Sequence, residues 1–274
     1  MEIKNMAGPK ELTVQEIILH LTEGITLPEN TVDQLITGSP DQFVTGIVVT
    51  FMPTQQVIEQ AIQGGANLII AHESPFYNHH SATDWLVNNP VYTDKRNLID
   101  QAGIALFRCH DIIHRFEPDG ITDGLIQKLG WTTYLSGRTA ESDIVTFPEG
   151  MTVQEIAQHL KQRLGIDYVR IAGNSEIVCR RAAVLVGFRG NGPVTIPLLQ
   201  NEQVDLIIAG EGFEWETPEY VRDAVQQGKS KALIMVGHAE SEAPGMKLLA
   251  DRLKESFPET KITFVKEQPV FKVF

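Results

Sequence analysis

The sequence predicts an α/β fold of two related lobes with mostly parallel sheets, and three observations carry that expectation. Short apolar runs of strand character alternate with amphipathic helical stretches along the chain. The composition, 42% hydrophobic and 21% charged over 274 residues, is that of a globular protein able to bury a large core without staples. The run NLIIA at 67–71 returns as DLIIA at 205–209, and a glutamate stands two positions beyond each.

The expected strands are 45–51, 67–71, 104–108, 167–171, 182–187, 205–209, 231–236 and 261–265. Most are uninterrupted apolar runs, the pattern of strands covered on both faces, hence the parallel sheets. Helices are expected at 13–22, 54–64, 94–102, 120–129, 152–164, 194–200, 217–227 and 244–256. Two of them open on the same phrase, TVQEI, at 13–17 and 152–156. In each, threonine and a glutamate three residues on (Thr13 with Glu16, Thr152 with Glu155) form a capping-box signature, which a helix start selects with or without a repeat. The polar stretch 136–143 is read as the boundary, giving an N-terminal lobe at 1–140 and a C-terminal lobe at 141–274.

Composition also excludes function classes. A net charge of −12 repels phosphate backbones, so nucleic acid is not an expected partner. The first residues lack the apolar core of a secretory signal, and the apolar runs fall far short of the ~18 residues that cross a bilayer, so a cytoplasmic protein without membrane contact is expected. Two cysteines, 70 positions apart, form neither a disulfide framework nor a metal-binding C-x-x-C.

Histidines carry the functional signal. His20 and His159 lie within the repeated helices, whereas His72, His79, His80, His110, His114 and His238 all fall in expected loops just after strands. In open α/β sheets sites gather there. Each half contains a strand ending in a histidine followed four residues later by another potential ligand: His110 with His114, and His238 with Glu242. Imidazoles and carboxylates together suit zinc, iron, manganese or cobalt, and two half-sites facing one another supply donors for two such ions in the cleft between the lobes. Each element also has a plain reading. His72 and Glu73 could cap a turn, His110 and His114 could be ordinary loop residues, and Glu242 could serve the start of a helix. Glu211 repeats the position of Glu73 and is either a member of the same cleft or a turn residue; His79 and His80 read as solvated loop residues or as groups that support a ligand from behind. The glycines of VGFRGNG at 186–192 form either a phosphate cradle or a tight turn, and Trp215 is expected to cover the core.

The order of these motifs resembles the Nif-three-like dinuclear-metal-centre proteins, a family related to NGG-one-interacting factor three whose members often bear the name of type-two GTP cyclohydrolases. The residues that carry the resemblance are AHESPFY at 71–77, the histidine pair in HDIIH at 110–114, GHAESE at 237–242, and VDQLITGSP at 32–40. The resemblance implies a metal centre with ligands at His72, Glu73, His114, His238 and Glu242, and His110 as a further ligand or a donor that orients one. It also implies a homo-oligomer, often a hexameric ring. Where the family has a second histidine this chain has Glu73, and where it has an aspartate this chain has His114, so one imidazole and one carboxylate trade places and the summed set is kept. The expected function is a dinuclear-metal-dependent hydrolase of a small anionic metabolite or nucleotide, with Glu242, Glu73 and Glu211 as the carboxylates for bridging and proton transfer. The alternative is a non-catalytic metal-binding ring or scaffold, and GTP cyclohydrolase activity is a third possibility.

Overall fold

The computed structural model describes residues 11–273. They fall into two compact units, one running to Glu117 and including Met246–Pro269, the other formed by Pro118–Gly245 and the residues from Val270. In chain order the elements are α1 (Val14–Thr22), β1 (Gln34–Thr37), β2 (Ile47–Thr50), α2 (Gln55–Gln63), β3 (Leu68–Ala71), α3 (Pro90–Gln101), β4 (Ala105–Arg108) and α4 (Asp111–His114). There follow α5 (Gly120–Leu129), β5 (Leu135–Arg138), β6 (Asp143–Thr152), α6 (Val153–Leu164), β7 (Arg170–Gly173), β8 (Val178–Val184), α7 (Gly192–Asn201) and β9 (Leu206–Ala209). The chain closes with α8 (Thr217–Gln226), β10 (Ala232–Met235), α9 (His238–Ser256) and β11 (Ile262–Phe264). Among the described residues no helix is long and apolar enough to cross a membrane.

The first unit holds a five-stranded sheet of order β1-β4-β3-β2-β11 and the second a six-stranded sheet of order β5-β6-β8-β9-β10-β7. The apolar runs behave as expected: β2, β3, β4, β9 and β10 are buried at every position. All five parallel pairings lie among strands that the apolar runs identify. Every antiparallel pairing is made by β1, β5, β6 or β7. Of these, β1, β5 and β6 are absent from the expected strands. β5 lies largely in the stretch read as a linker, and β6 contains Pro148 and Gly150, residues that ordinarily punctuate a strand. Packing carries these elements in place of periodicity. Ile69 in β3 and Ile207 in β9 are fully buried in the two cores, and truncating either to alanine costs about 2–5 kcal/mol.

Both capping boxes form. Thr13 caps α1 and Thr152 caps α6, each accepting the N3 amide while the N3 glutamate accepts the amide of the cap. The repeat extends well beyond these phrases. The succession α1-β1-β2-α2-β3-α3-β4 is matched by α6-β7-β8-α7-β9-α8-β10. The strands lie in the same order, β1-β4-β3-β2 and β7-β10-β9-β8, with the first pairing antiparallel and the others parallel in each.

Candidate functional site

In the first unit the carboxyl ends of β3 and β4 lie side by side, Ala71 paired with Arg108. His72 leaves β3 one residue on, His110 leaves β4 two residues on, and His114 ends α4. The three imidazoles meet: ring centroids are 4.5 Å apart for His72 and His110, 5.1 Å for His72 and His114, and 5.2 Å for His110 and His114. Each offers a ring nitrogen within 4.8 Å of those of the other two. Bonds of about 2.0–2.1 Å on a tetrahedral ion place donor atoms about 3.3 Å apart, so small ring rotations close the set.

The partners of the rings fix which nitrogen faces inward. His72 Nδ1 lies 3.2 Å from the Cys109 carbonyl, and a neutral ring with its proton there leaves Nε2 with a lone pair. His110 Nδ1 lies 2.9 Å from Asp111 Oδ1, which again leaves Nε2 as the donor atom. Burial, reinforced by the neighbouring His72 and His114, pushes His110 down to about 3, so this ring holds no second proton at neutral pH. That is the protonation state a cation requires.

Asp33 explains why a four-residue helix forms at all. Its carboxylate accepts the backbone N–H of His110, of Asp111 at 3.0 Å and of Ile112 at 2.6 Å, satisfying the first amides of α4 from 77 or more residues away. Burial raises the Asp33 pKa against the opposing pull of these amides. Thr31 donates to Asp111 at 2.8 Å and so holds the carboxylate that orients His110. His114, expected in a loop, is therefore helical.

Beside the imidazoles Glu73 meets Arg108, which is 0% exposed. The guanidinium donates to Glu73 Oε2 at 2.8 Å, to the His72 carbonyl at 3.1 Å, to the His79 carbonyl and, at 3.2 Å, to His79 Nδ1. Burial and then this guanidinium lower the His79 pKa. His79 is an exposed loop residue, as expected, and also joins this network, while His80, exposed as well, contacts it ring to edge. Arg108, Asp33 and Asp111 escaped the sequence reading. The one available signal was an arginine closing an otherwise apolar strand run, which is costly without a buried partner.

In the second unit His238 begins α9, six residues before the start expected at 244. His238 Nδ1 lies 3.0 Å from Glu211 Oε1, and Nε2 lies 3.2 Å from Glu242 Oε2. Burial alone would lower this imidazole, but the two carboxylates raise it to about 10. The hydrogen bond from His238 in turn lowers Glu211. Glu242 is 3% exposed and packs on Gly187, whose backbone is left-handed at φ +54°. A Cβ at Gly187 would stand 2.1 Å from Glu242 Oε1, so this approach requires glycine.

The glycine-rich turn spends its amides internally: Gly190 N–H donates to the Glu211 carbonyl and Gly192 N–H to Glu216. The tight-turn reading holds here, and Arg189 pairs with Asp119 at 3.1 Å. Trp215 is 69% exposed and stacks on Phe213, contrary to the expected core role. His159 packs flat on Trp131 and hydrogen-bonds the Leu129 carbonyl, a structural role.

Similarity to known proteins shows the family and the fold. A protein of Clostridium perfringens named GTP cyclohydrolase 1 type 2 homolog is 26% identical over 230 residues, covering 81% of this chain and 82% of its own. The fold matches that of a Bacillus cereus protein related to NIF3 at a TM-score of 0.76 and 16% identity, over 97% of this chain and 99% of the other. It also matches reduced HcgD from Methanocaldococcus jannaschii at a TM-score of 0.69 and 16% identity, over 93% and 98% of the two chains. The Duf34/NIF3 (NGG1p interacting factor 3) family matches residues 29–269, nearly the whole of the fold described above, and the chain belongs to that family.

Proposed function

We propose that this protein is a metal-dependent hydrolase of a small anionic metabolite or nucleotide that uses two divalent transition-metal ions, zinc, iron, manganese or cobalt. The ligands are drawn from His72, Glu73, His110 and His114 in the first unit and from His238 and Glu242 in the second. The observation that carries the reading is the convergence of three imidazoles, two of which, His72 and His110, already have the outer nitrogen engaged, the form in which protein histidines hold metals. The family's match across residues 29–269 and the name carried by the Clostridium relative support the same class.

A divalent cation held there would lower the pKa of a bound water towards neutrality and polarise the substrate. The chain's own groups do the rest. Cys109 and Asp111 fix the inward nitrogens of His72 and His110. Glu211 orients His238 through Nδ1. Glu242, buried against Gly187, is the carboxylate suited to bridging, and Glu73 and Glu211 are placed to carry protons. A homo-oligomer, a hexamer, working in the cytoplasm is part of this proposal.

The test is elemental analysis of untagged protein purified without added metal, followed by a phosphatase, amidohydrolase and GTP-opening panel. Up to two ions per chain and a hydrolytic activity lost with His110→Ala are expected. Bound metal with no activity across the panel would favour a scaffold, and absence of metal would overturn the proposal.

A further inference from the structure

Three aromatic rings of the second unit stand exposed in one patch that the proposed hydrolysis leaves unused. Phe213 stacks on Trp215, with ring centroids 4.4 Å apart and planes 19° from parallel, and Phe188 meets Phe213 edge to face at 5.0 Å. Large rings gathered in water mark a place where something binds. Their mounting indicates what. The Gly187 carbonyl accepts the Glu211 N–H at 2.8 Å and the Glu211 carbonyl accepts the Gly190 N–H at 3.0 Å, which ties two turns together. A Cβ at Gly190 would stand 2.5 Å from the Glu211 carbonyl oxygen, so only glycine permits this approach. Each turn carries one group of the candidate site and one ring. Gly187, packed against Glu242, is followed directly by Phe188; Glu211, which holds His238 Nδ1, is followed two residues on by Phe213. Two residues of chain span at most about 7 Å, so the rings are held at a fixed, short reach from His238 and Glu242.

The charges around the rings are divided. Arg170 opens β7 opposite Met235, the last residue of β10, at the end from which the chain runs on to His238. Its guanidinium donates to Glu214 at 2.9 Å, and Glu214 stands between Phe213 and Trp215 in the chain. Both side chains are exposed, so the pair adds little to stability and an anionic group can displace the carboxylate. Trp215 also walls a groove of about 660 Å³ with Pro193, Ile196 and Tyr220, a volume within the range of small-molecule sites. Glu216, Glu219 and Asp223 border that groove, so it receives a neutral ring and turns an anion towards Arg170. We infer that Phe213, Trp215 and Arg170 form a recognition site for a small molecule that joins a flat unsaturated ring to an anionic group, the ring stacking on Trp215 and the anion meeting Arg170. Phe188 braces Phe213 from its edge. As a statement about substrate this rests on the hydrolase reading, which it deepens: among small anions the site selects ring-bearing ones, nucleotides or aryl phosphates, over sugar phosphates.

The probes are adenosine monophosphate, phenyl phosphate, adenosine and ribose 5-phosphate, added to the full-length protein after chelator has removed metal, with affinities taken from equilibrium dialysis. Trp131 is buried, and Trp85→Phe removes the other exposed tryptophan, so quenching of the remaining fluorescence reports a ring on Trp215. Adenosine monophosphate or phenyl phosphate should bind and quench, the stronger of the two identifying nucleotide or aryl ester as the source, whereas ribose 5-phosphate should do neither. Phe213→Ala and Trp215→Ala should each weaken the ring probes by about fivefold to a hundredfold. Arg170→Gln should weaken adenosine monophosphate by about tenfold and leave adenosine unchanged, a split that loss of packing does not produce. All three side chains are exposed, so the variants should keep the parent's urea midpoint. No quenching by either ring probe up to about 1 mM, the upper end of ordinary substrate affinities, overturns the inference. So does equal binding of ribose 5-phosphate, or aromatic variants that alter gel-filtration size but not probe affinity, which would assign the patch to a contact between copies of the chain. Metal uptake without ring binding overturns this inference alone; ring binding by a protein that holds no metal leaves it standing and removes the hydrolase reading.

Discussion

The two units build one topology twice and charge it in opposite ways. In both, the LIIA strand lies between two parallel neighbours, and functional side chains leave its carboxyl end and that of the next strand. In the first unit burial and like neighbours strip His110 of its proton, down to about 3. In the second, Glu211 and Glu242 hold His238 protonated up to about 10. The first group is thus able to hold a cation, whereas His238 would have to give up its proton before it could hold one. The topology sets where side chains emerge, and the neighbouring charges decide what they can do.

Counting from the paired residues sharpens the contrast. Ala71 faces Arg108 and Ala209 faces Met235, so His72 corresponds to Gly210, Arg108 to Met235 and His114 to Ser241. By the same count His238 stands at the place of Asp111, one residue out of step with His110. A side chain at Gly210 would meet the Gly187 carbonyl and Ser241 Oγ, both at 2.5 Å. The space that His72 fills in one unit is closed by backbone in the other.

The largest test of this difference is the Glu73–Arg108 pair, where Met235 stands at the place of Arg108 in the second unit. Glu73→Ala strands the Arg108 charge and should cost about 3–5 kcal/mol in urea unfolding of the metal-free protein, whereas Met235→Ala, at the matching place in the second unit, leaves no charge behind. An equal loss in both would mean that the ion pair adds nothing beyond packing.

Next in size is the closed space. Gly210→Ala should destabilise by about 1–3 kcal/mol through overpacking against Gly187, read as a lower urea midpoint with the slope retained. A neutral result would show that the second unit has room for a side chain where His72 sits in the first.

The opposite pKa shifts give opposite pH slopes. His110 is depressed in the folded state, so the unfolded chain binds its proton first, and stability is lost as pH falls below the ordinary histidine value of about 6.5 towards 3. His238 is raised, so its contribution is full below about 6.5 and is lost as pH rises towards 10. In melting curves of metal-free protein, His110→Gln should flatten the acid limb and His238→Gln the alkaline limb. Both variants changing the same limb would erase the contrast.

The smallest effect is a control for sameness. Thr13→Ala and Thr152→Ala each remove a capping box and should cost about 1 kcal/mol apiece. A clear inequality would show that the shared phrase is not used equally in the two units.

Much of this was legible in the sequence. Apolar runs identified the strands of every parallel pairing, and histidine placement marked the carboxyl ends where the imidazoles gather. What escaped has physical causes. β6 tolerates Pro148 and Gly150 because its pairing with β8 restarts beyond an irregularity. α4 is too short for any period to reveal, and its stability comes from Asp33, distant in sequence. Arg108 reads as the polar end of a strand until its carboxylate and carbonyl partners are seen around it.

The reach of Asp33 also has a consequence for how the histidine group comes into being. The amides that start α4 are satisfied by a residue 77–79 positions earlier, so His114 gains a fixed perch only once the chain has closed that long loop. Local opening of the segment around Asp33 would release the amides of residues 110–112 to exchange with solvent and let the imidazoles drift apart, without unfolding of the buried strands β2 and β3. Hydrogen exchange at those amides therefore reports the integrity of the histidine group, and an ion bound by the imidazoles would slow that exchange from a distance.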